Sequence, residues 1–146
     1  MTNNNTIELY NQSLKKLLHP ILHFLDDEGV SEIMINGHDE IFIERSGKLI
    51  LSDAKFADEA ELESAMRNIA QFAGRRLVPE NPSIEARLPD GSRVHIVQSP
   101  AARKGLCATI RKFSKHKLDL ATLVEKNSIS AEGAEFLSIC VAMAKI

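Results

Sequence analysis

Apolar residues recur at helical spacing near the start of the chain. Ile7, Leu14, Leu17, Leu18, Ile21, Leu22 and Leu25 stand three, four and seven apart, the pattern of an amphipathic helix. Pro20 falls inside it and removes one backbone hydrogen bond, so a break is predicted near His19. The period then changes. Residues 32–35, 41–45 and 49–51 read as three short strands, parted by the turn signals Asn36-Gly37 and Ser46-Gly47-Lys48. Asp58 with Glu61 three residues later predicts a capped helix start, with Leu62, Ala65, Met66, Ile69 and Ala73 as its apolar stripe and Gly74 as its stop. Residues 75–83 read as a loop, and 118–126 and 130–144 as two further helices. The first 13 residues, opening on an Asn-rich run, are expected to be disordered or loosely ordered, and 14–146 to form one domain.

The segment after residue 83 is the most specific. Ile84, Ala86 and Leu88 alternate with Glu85 and Arg87, and Pro89-Asp90-Gly91 fits a three-residue hairpin loop with glycine in the left-handed conformation. That loop length pairs Leu88 with Ser92, Arg87 with Arg93, Ala86 with Val94 and Glu85 with His95, which sorts apolar and charged residues onto opposite faces. A two-residue loop would set Leu88 against Arg93 and mix the faces. The favoured register leaves two arginines side by side, which is destabilising unless something negative lies between them. A further strand over 106–110 leads into Arg111-Lys112.

Charge sharpens this picture. The whole chain of 146 residues carries a net −2, yet residues 85–117 hold eight basic residues against two acidic ones, a net of +6. Such asymmetry suggests one surface that meets an anion. The candidate contacts are Arg93 and Arg111, then Arg87 and Lys112, because guanidinium groups fork onto phosphate oxygens and stay charged. The competing reading is a solvated sheet face with surface salt bridges. Nucleic acid is not expected, since Phe113 is the only aromatic in the window and stacking residues are scarce throughout.

Other chemistry is thin. Cys107 and Cys140 read as reduced core residues, and His19 with His23 lacks a third neighbour for a metal, so no metal site is expected. The apolar run 136–144 is about half of what a membrane-spanning helix needs, and the start of the chain is polar, so a cytoplasmic location is expected. The sequence contains no G-x-x-x-x-G-K-[ST], G-x-S-x-G, H-E-x-x-H or C-x-x-C motif, so no catalytic residue is assigned and the chain by itself is not expected to be an enzyme.

The run Ser83-Ile84-Glu85-Ala86-Arg87-Leu88-Pro89-Asp90-Gly91-Ser92-Arg93-Val94, with Ile110-Arg111-Lys112-Phe113-Ser114-Lys115 downstream, resembles the type II/IV secretion ATPase superfamily. Within it the run is most similar to the tight-adherence pilus assembly ATPases of the TadA/CpaF type. Upstream, Glu32-Ile33-Met34-Ile35-Asn36-Gly37 and Gly74-Arg75-Arg76-Leu77 agree. The resemblance implies an α/β (α+β) fold, a PAS-like N-terminal domain with an antiparallel sheet of five to six strands flanked by helices. It also implies a chain cut before the P-loop, whose partners are its own C-terminal RecA-like ATPase domain, neighbouring subunits of a homohexamer and an inner-membrane platform protein. ATP and Mg²⁺ would then belong to the full-length protein and none to the fragment. By the same resemblance Arg93 and Arg111 reach nucleotide phosphates, with Arg87 behind them. The alternative from the residues alone is a stand-alone module that docks an anionic partner or nucleic acid.

Overall fold

Alternation of apolar with polar residues, regular in the second meander and interrupted in the first, builds two three-stranded meanders. In the computed structural model, which describes residues 4–113 and 119–144, the first meander comprises β1 (Val30–Asn36), β2 (Ile41–Arg45) and β3 (Lys48–Leu51). The second comprises β4 (Ser83–Arg87), β5 (Arg93–Val97) and β6 (Cys107–Arg111). They join edge to edge through β1 and β6, giving one six-stranded sheet in the order β3-β2-β1-β6-β5-β4. Every pairing is antiparallel. The expected fold class is thus the observed one. The β2–β3 turn places both Ser46 and Gly47 at positive φ, the requirement of a type I′ hairpin whose twist matches that of the strands.

One face of the sheet is covered. Ile33, Ile35, Ile41, Val94, Ile96 and Ile110 are fully buried on it, each contributing roughly 1.5–3 kcal/mol of burial. Against them lies α3 (Glu59–Phe72), which buries Leu62, Ala65, Met66, Ile69 and Ala70. Its N-cap is Asp58, whose carboxylate accepts from the Glu61 amide at 2.8 Å, while Glu61 reaches back to the Ala57 amide. Gly74, at φ +68°, ends the helix: its amide donates to the Gln71 carbonyl and the Arg75 amide to that of Ala70.

Near the start of the chain, α1 (Asn4–Leu17) breaks where Pro20 predicts, into a 3-10 turn at His19–Ile21 and a short α2 (Leu22–Asp26). α1 starts at Asn4 and runs through most of the stretch expected to be loosely ordered. The reason is side-chain anchoring: Tyr10 and Leu14 are buried, and the Tyr10 ring stacks on Phe72 of α3 with centroids 3.4 Å apart.

The chain divides into two compact units, 1–113 and 114–146. The second unit holds α4 (Leu120–Glu125) and α5 (Ala131–Met143), N-capped by Asp119 and Ser130. α5 carries apolar side chains on all sides, with Phe136, Leu137, Ile139, Val141 and Met143 exposed. The cysteines are free but neither is a core residue: Cys107 is half-buried at a strand start, and Cys140 is exposed. Lys115 and Lys117 of the basic window lie outside the described residues. No helix among the described residues is long and apolar enough to cross a membrane.

The Tyr10 hydroxyl is buried without a hydrogen-bond partner among the described residues, and burial pushes its pKa up to about 12. The ring therefore does the anchoring. Tyr10→Ala is expected to lower the unfolding free energy by about 3 kcal/mol in urea titrations, whereas Tyr10→Phe stays within about 1 kcal/mol of the parent. A large loss in the Phe variant would contradict this.

Candidate anion-binding site

The turn at residues 89–91 forms as its chemistry requires. The Leu88 amide donates to the Ser92 carbonyl, the Gly91 amide donates to the Leu88 carbonyl, and Gly91 sits at φ +89°. Arg87 then pairs with Arg93, Ala86 with Val94 and Glu85 with His95. β6 adds Arg111 opposite Arg93, and β1 sets Glu32 opposite Arg111. One row across the uncovered face reads Arg87, Arg93, Arg111, Glu32, Glu44. With strands about 4.8 Å apart, the three arginine backbones span roughly 10 Å.

Like charges directly opposite each other cost up to about 1 kcal/mol a pair. The same register buries Val94, Ile96 and Ile110 completely on the covered face, at roughly 1.5–3 kcal/mol each. Burial wins, so the arginines stay adjacent. Ser92 pins them further. It is fully buried, its hydroxyl donates to Asp90 Oδ2 at 2.7 Å, and it accepts from the Phe113 amide at 3.2 Å, just beyond β6. The hairpin loop and the end of β6 are thereby tied together next to Arg93 and Arg111.

The row opens on a cleft of about 610 Å³ lined by Arg75, Arg87, Arg93, Arg111, Glu32, Glu85, His95 and Thr109, with Ala73, Ala86 and Val94. Arg87, Arg93 and Arg111 are exposed, and among the described residues none of the four arginines has a carboxylate within ion-pair distance. Away from the cleft, Arg45 is paired with Asp27 and Arg67 with Glu63. Of the competing reading, the row keeps the solvated sheet face but forms no salt bridge among the described residues. Guanidinium groups that line one cleft and are unpaired among the described residues are suited to holding an oxyanion through charge-assisted hydrogen bonds. His95 contributes a ring hydrogen-bonded to Ser83 at 2.7 Å.

Lys112 does not join them. Strand alternation turns it away from Arg111, and its ammonium donates to the carbonyl oxygens of Phe24, at 3.0 Å, and Asp27. A cation is favourable at the C-terminal end of a helix, and the Asp27 carbonyl also accepts from the Val30 amide at 3.1 Å. Burial pushes the Lys112 pKa down, an effect that the nearby Asp27 carboxylate opposes. Arg75 and Ser92 were not among the candidates. The first lies in a loop reached only through tertiary packing; the second has the composition of any hairpin serine.

Comparisons with known proteins agree with this architecture. The family described as type II/IV secretion system protein has a model that matches residues 15–144. VirB11 of the Bartonella quintana type IV secretion system is 31% identical over 134 residues, covering 88% of this chain and 37% of its own length. A putative conjugal transfer protein of Mycobacterium tuberculosis is 26% identical over 128 residues, covering 84% of this chain and 36% of its own length. Among solved structures, the VirB11 ATPase from the Brucella suis type IV secretion system, in complex with sulphate, superposes with a TM-score of 0.76 at 26% identity, over 87% of this chain and 38% of that one. The chain spans between 16% and 38% of the length of the proteins it matches.

The unpaired arginine row makes an energetic prediction. Arg93→Gln removes the central like charge and is expected to raise stability in low-salt urea titrations by about 0.5 kcal/mol. Added pyrophosphate should stabilise the parent more than the variant, by mass action on the folded state. A destabilised variant with an unchanged pyrophosphate response would contradict the assignment.

Proposed function

Because this chain belongs to the type II/IV secretion system protein family, we propose that it is the N-terminal domain of a hexameric secretion or pilus-assembly ATPase, in which Arg93 and Arg111, with Arg87, hold the phosphates of a nucleotide. The observation that carries this reading is the unpaired arginine row on one open sheet face. The Brucella suis VirB11 ATPase, solved in complex with sulphate, adds weight, since sulphate is a tetrahedral oxyanion like a phosphate group.

In this reading the site is shared. A RecA-like domain outside this sequence grips the β- and γ-phosphates and Mg²⁺, and the arginines close on the same anion from the opposite side. Guanidinium groups aimed at phosphate oxygens stabilise charge that develops during phosphoryl transfer. They also lend the binding energy that draws two domains together. The parent would work beside the inner membrane through a platform protein, exporting proteins or building pili. The finer placement near the tight-adherence branch rests on the motif pair around Arg93 and Arg111. Lys112, committed to the end of α2, is assigned a structural role instead.

In the full-length protein, Arg93→Ala and Arg111→Ala are each expected to lower ATP turnover by about 100-fold or more. Their melting temperatures should stay within about 2 °C of the parent, as for exposed positions. Parental turnover in both variants would overturn the assignment. The 146-residue chain alone is expected to show no Mg²⁺-dependent ATP hydrolysis. Salt-sensitive binding of short single-stranded nucleic acid, with no response to nucleotide, would favour the anionic-partner alternative.

A further inference from the structure

The cleft holds one cation that the strand pattern does not supply. Arg75 lines it together with Arg87, Arg93 and Arg111, yet it comes from the end of α3 rather than from the sheet. Its backbone is fixed there by the glycine stop: Gly74 takes φ +68°, and the Arg75 amide donates to the Ala70 carbonyl at 2.9 Å. The side chain is exposed and has no ion-pair partner among the described residues. The next residue, Arg76, carries the same charge but does not line the cleft.

Three arginines in one row present donors from a single plane. A fourth from a separate element presents them from another side, which fits a chain of phosphates better than a single flat contact does. Four guanidinium groups also outnumber the two cleft carboxylates, Glu32 and Glu85, and leave a net positive lining. We infer that Arg75 is a further contact for the polyphosphate part of the ligand, an assignment that rests on the nucleotide reading above. It would also make the end of α3 part of the binding site, so that ligand occupancy is felt by the helix that covers the sheet.

The neighbouring arginine supplies the control. In the full-length protein, binding of a non-hydrolysable ATP analogue and the kinetics of ATP hydrolysis are compared for the parent, Arg75→Ala, Arg75→Lys, Arg76→Ala, Arg93→Ala and Arg111→Ala. The expected result is about tenfold weaker analogue binding and a raised KM with kcat largely kept in Arg75→Ala. Arg75→Lys should recover part of the loss, and Arg76→Ala should match the parent. If Arg75→Ala binds like the parent while Arg93→Ala and Arg111→Ala lose activity, the Arg75 assignment is wrong and the nucleotide reading stands. Equal losses in Arg75→Ala and Arg76→Ala would reduce the effect to overall charge and overturn the assignment. Parental behaviour of Arg93→Ala and Arg111→Ala would remove the reading on which it rests. Should Arg75→Ala lower the melting temperature, Arg75→Gln, which keeps the aliphatic stem, carries the same comparison.

Discussion

A three-residue turn sets Arg87 against Arg93, the β5–β6 pairing adds Arg111 to the row, and the proposed site follows from those two registers. Proline at 89 and a left-handed glycine at 91 close the loop, and the buried Ser92 hydroxyl ties it to the residue after β6. The arginines repel one another, but the same register seats Val94, Ile96 and Ile110 in the core. Sliding the strand by one residue would relieve the repulsion and expose that apolar set. The charge adjacency is thus held in place by hydrophobic burial, and an anion bound between the arginines would lower its cost.

The sheet extends this logic across its width. Its open face changes character from edge to centre: basic on β4, β5 and β6, then acidic at Glu32 and Glu44 on β1 and β2. The next row runs through His95, Thr109, Met34 and Phe42 and becomes apolar in the same direction. β1 and β6 meet in the middle, so the two meanders divide the face between them. The arginines belong wholly to the second meander, and Glu32, which stands opposite Arg111 across the β1–β6 junction, forms no ion pair with it among the described residues.

Local signals were legible in the sequence where one residue type has few alternatives. Pro20 marked the break at His19, Asp58 and Gly74 bracketed α3, and Pro89-Asp90-Gly91 with strict alternation specified the hairpin pair by pair. Pairings between distant segments were not legible. Nothing in the strand around Arg111 announces that it lies between β1 and β5: charge and family likeness made it a candidate, and its place in the row came from the fold. Lys112 was misplaced because adjacency in sequence was read as adjacency in space; period-two alternation sends it to the other side, toward the carbonyls of α2. The helical spacing was legible from Ile7 onward, but the helix start at Asn4 and the stacking of Tyr10 on Phe72, a contact 62 positions apart, were not. Arg75 escaped for a similar reason, since its position depends on how α3 ends and packs.

The central claim is that the arginine row meets nucleotide phosphate. A structure of the full-length protein with a non-hydrolysable ATP analogue tests it most directly. The account predicts guanidinium nitrogen atoms of Arg93 and Arg111 about 2.7–3.2 Å from phosphate oxygens. Phosphates bound elsewhere, with Arg93 and Arg111 either solvated or paired to carboxylates, would contradict it.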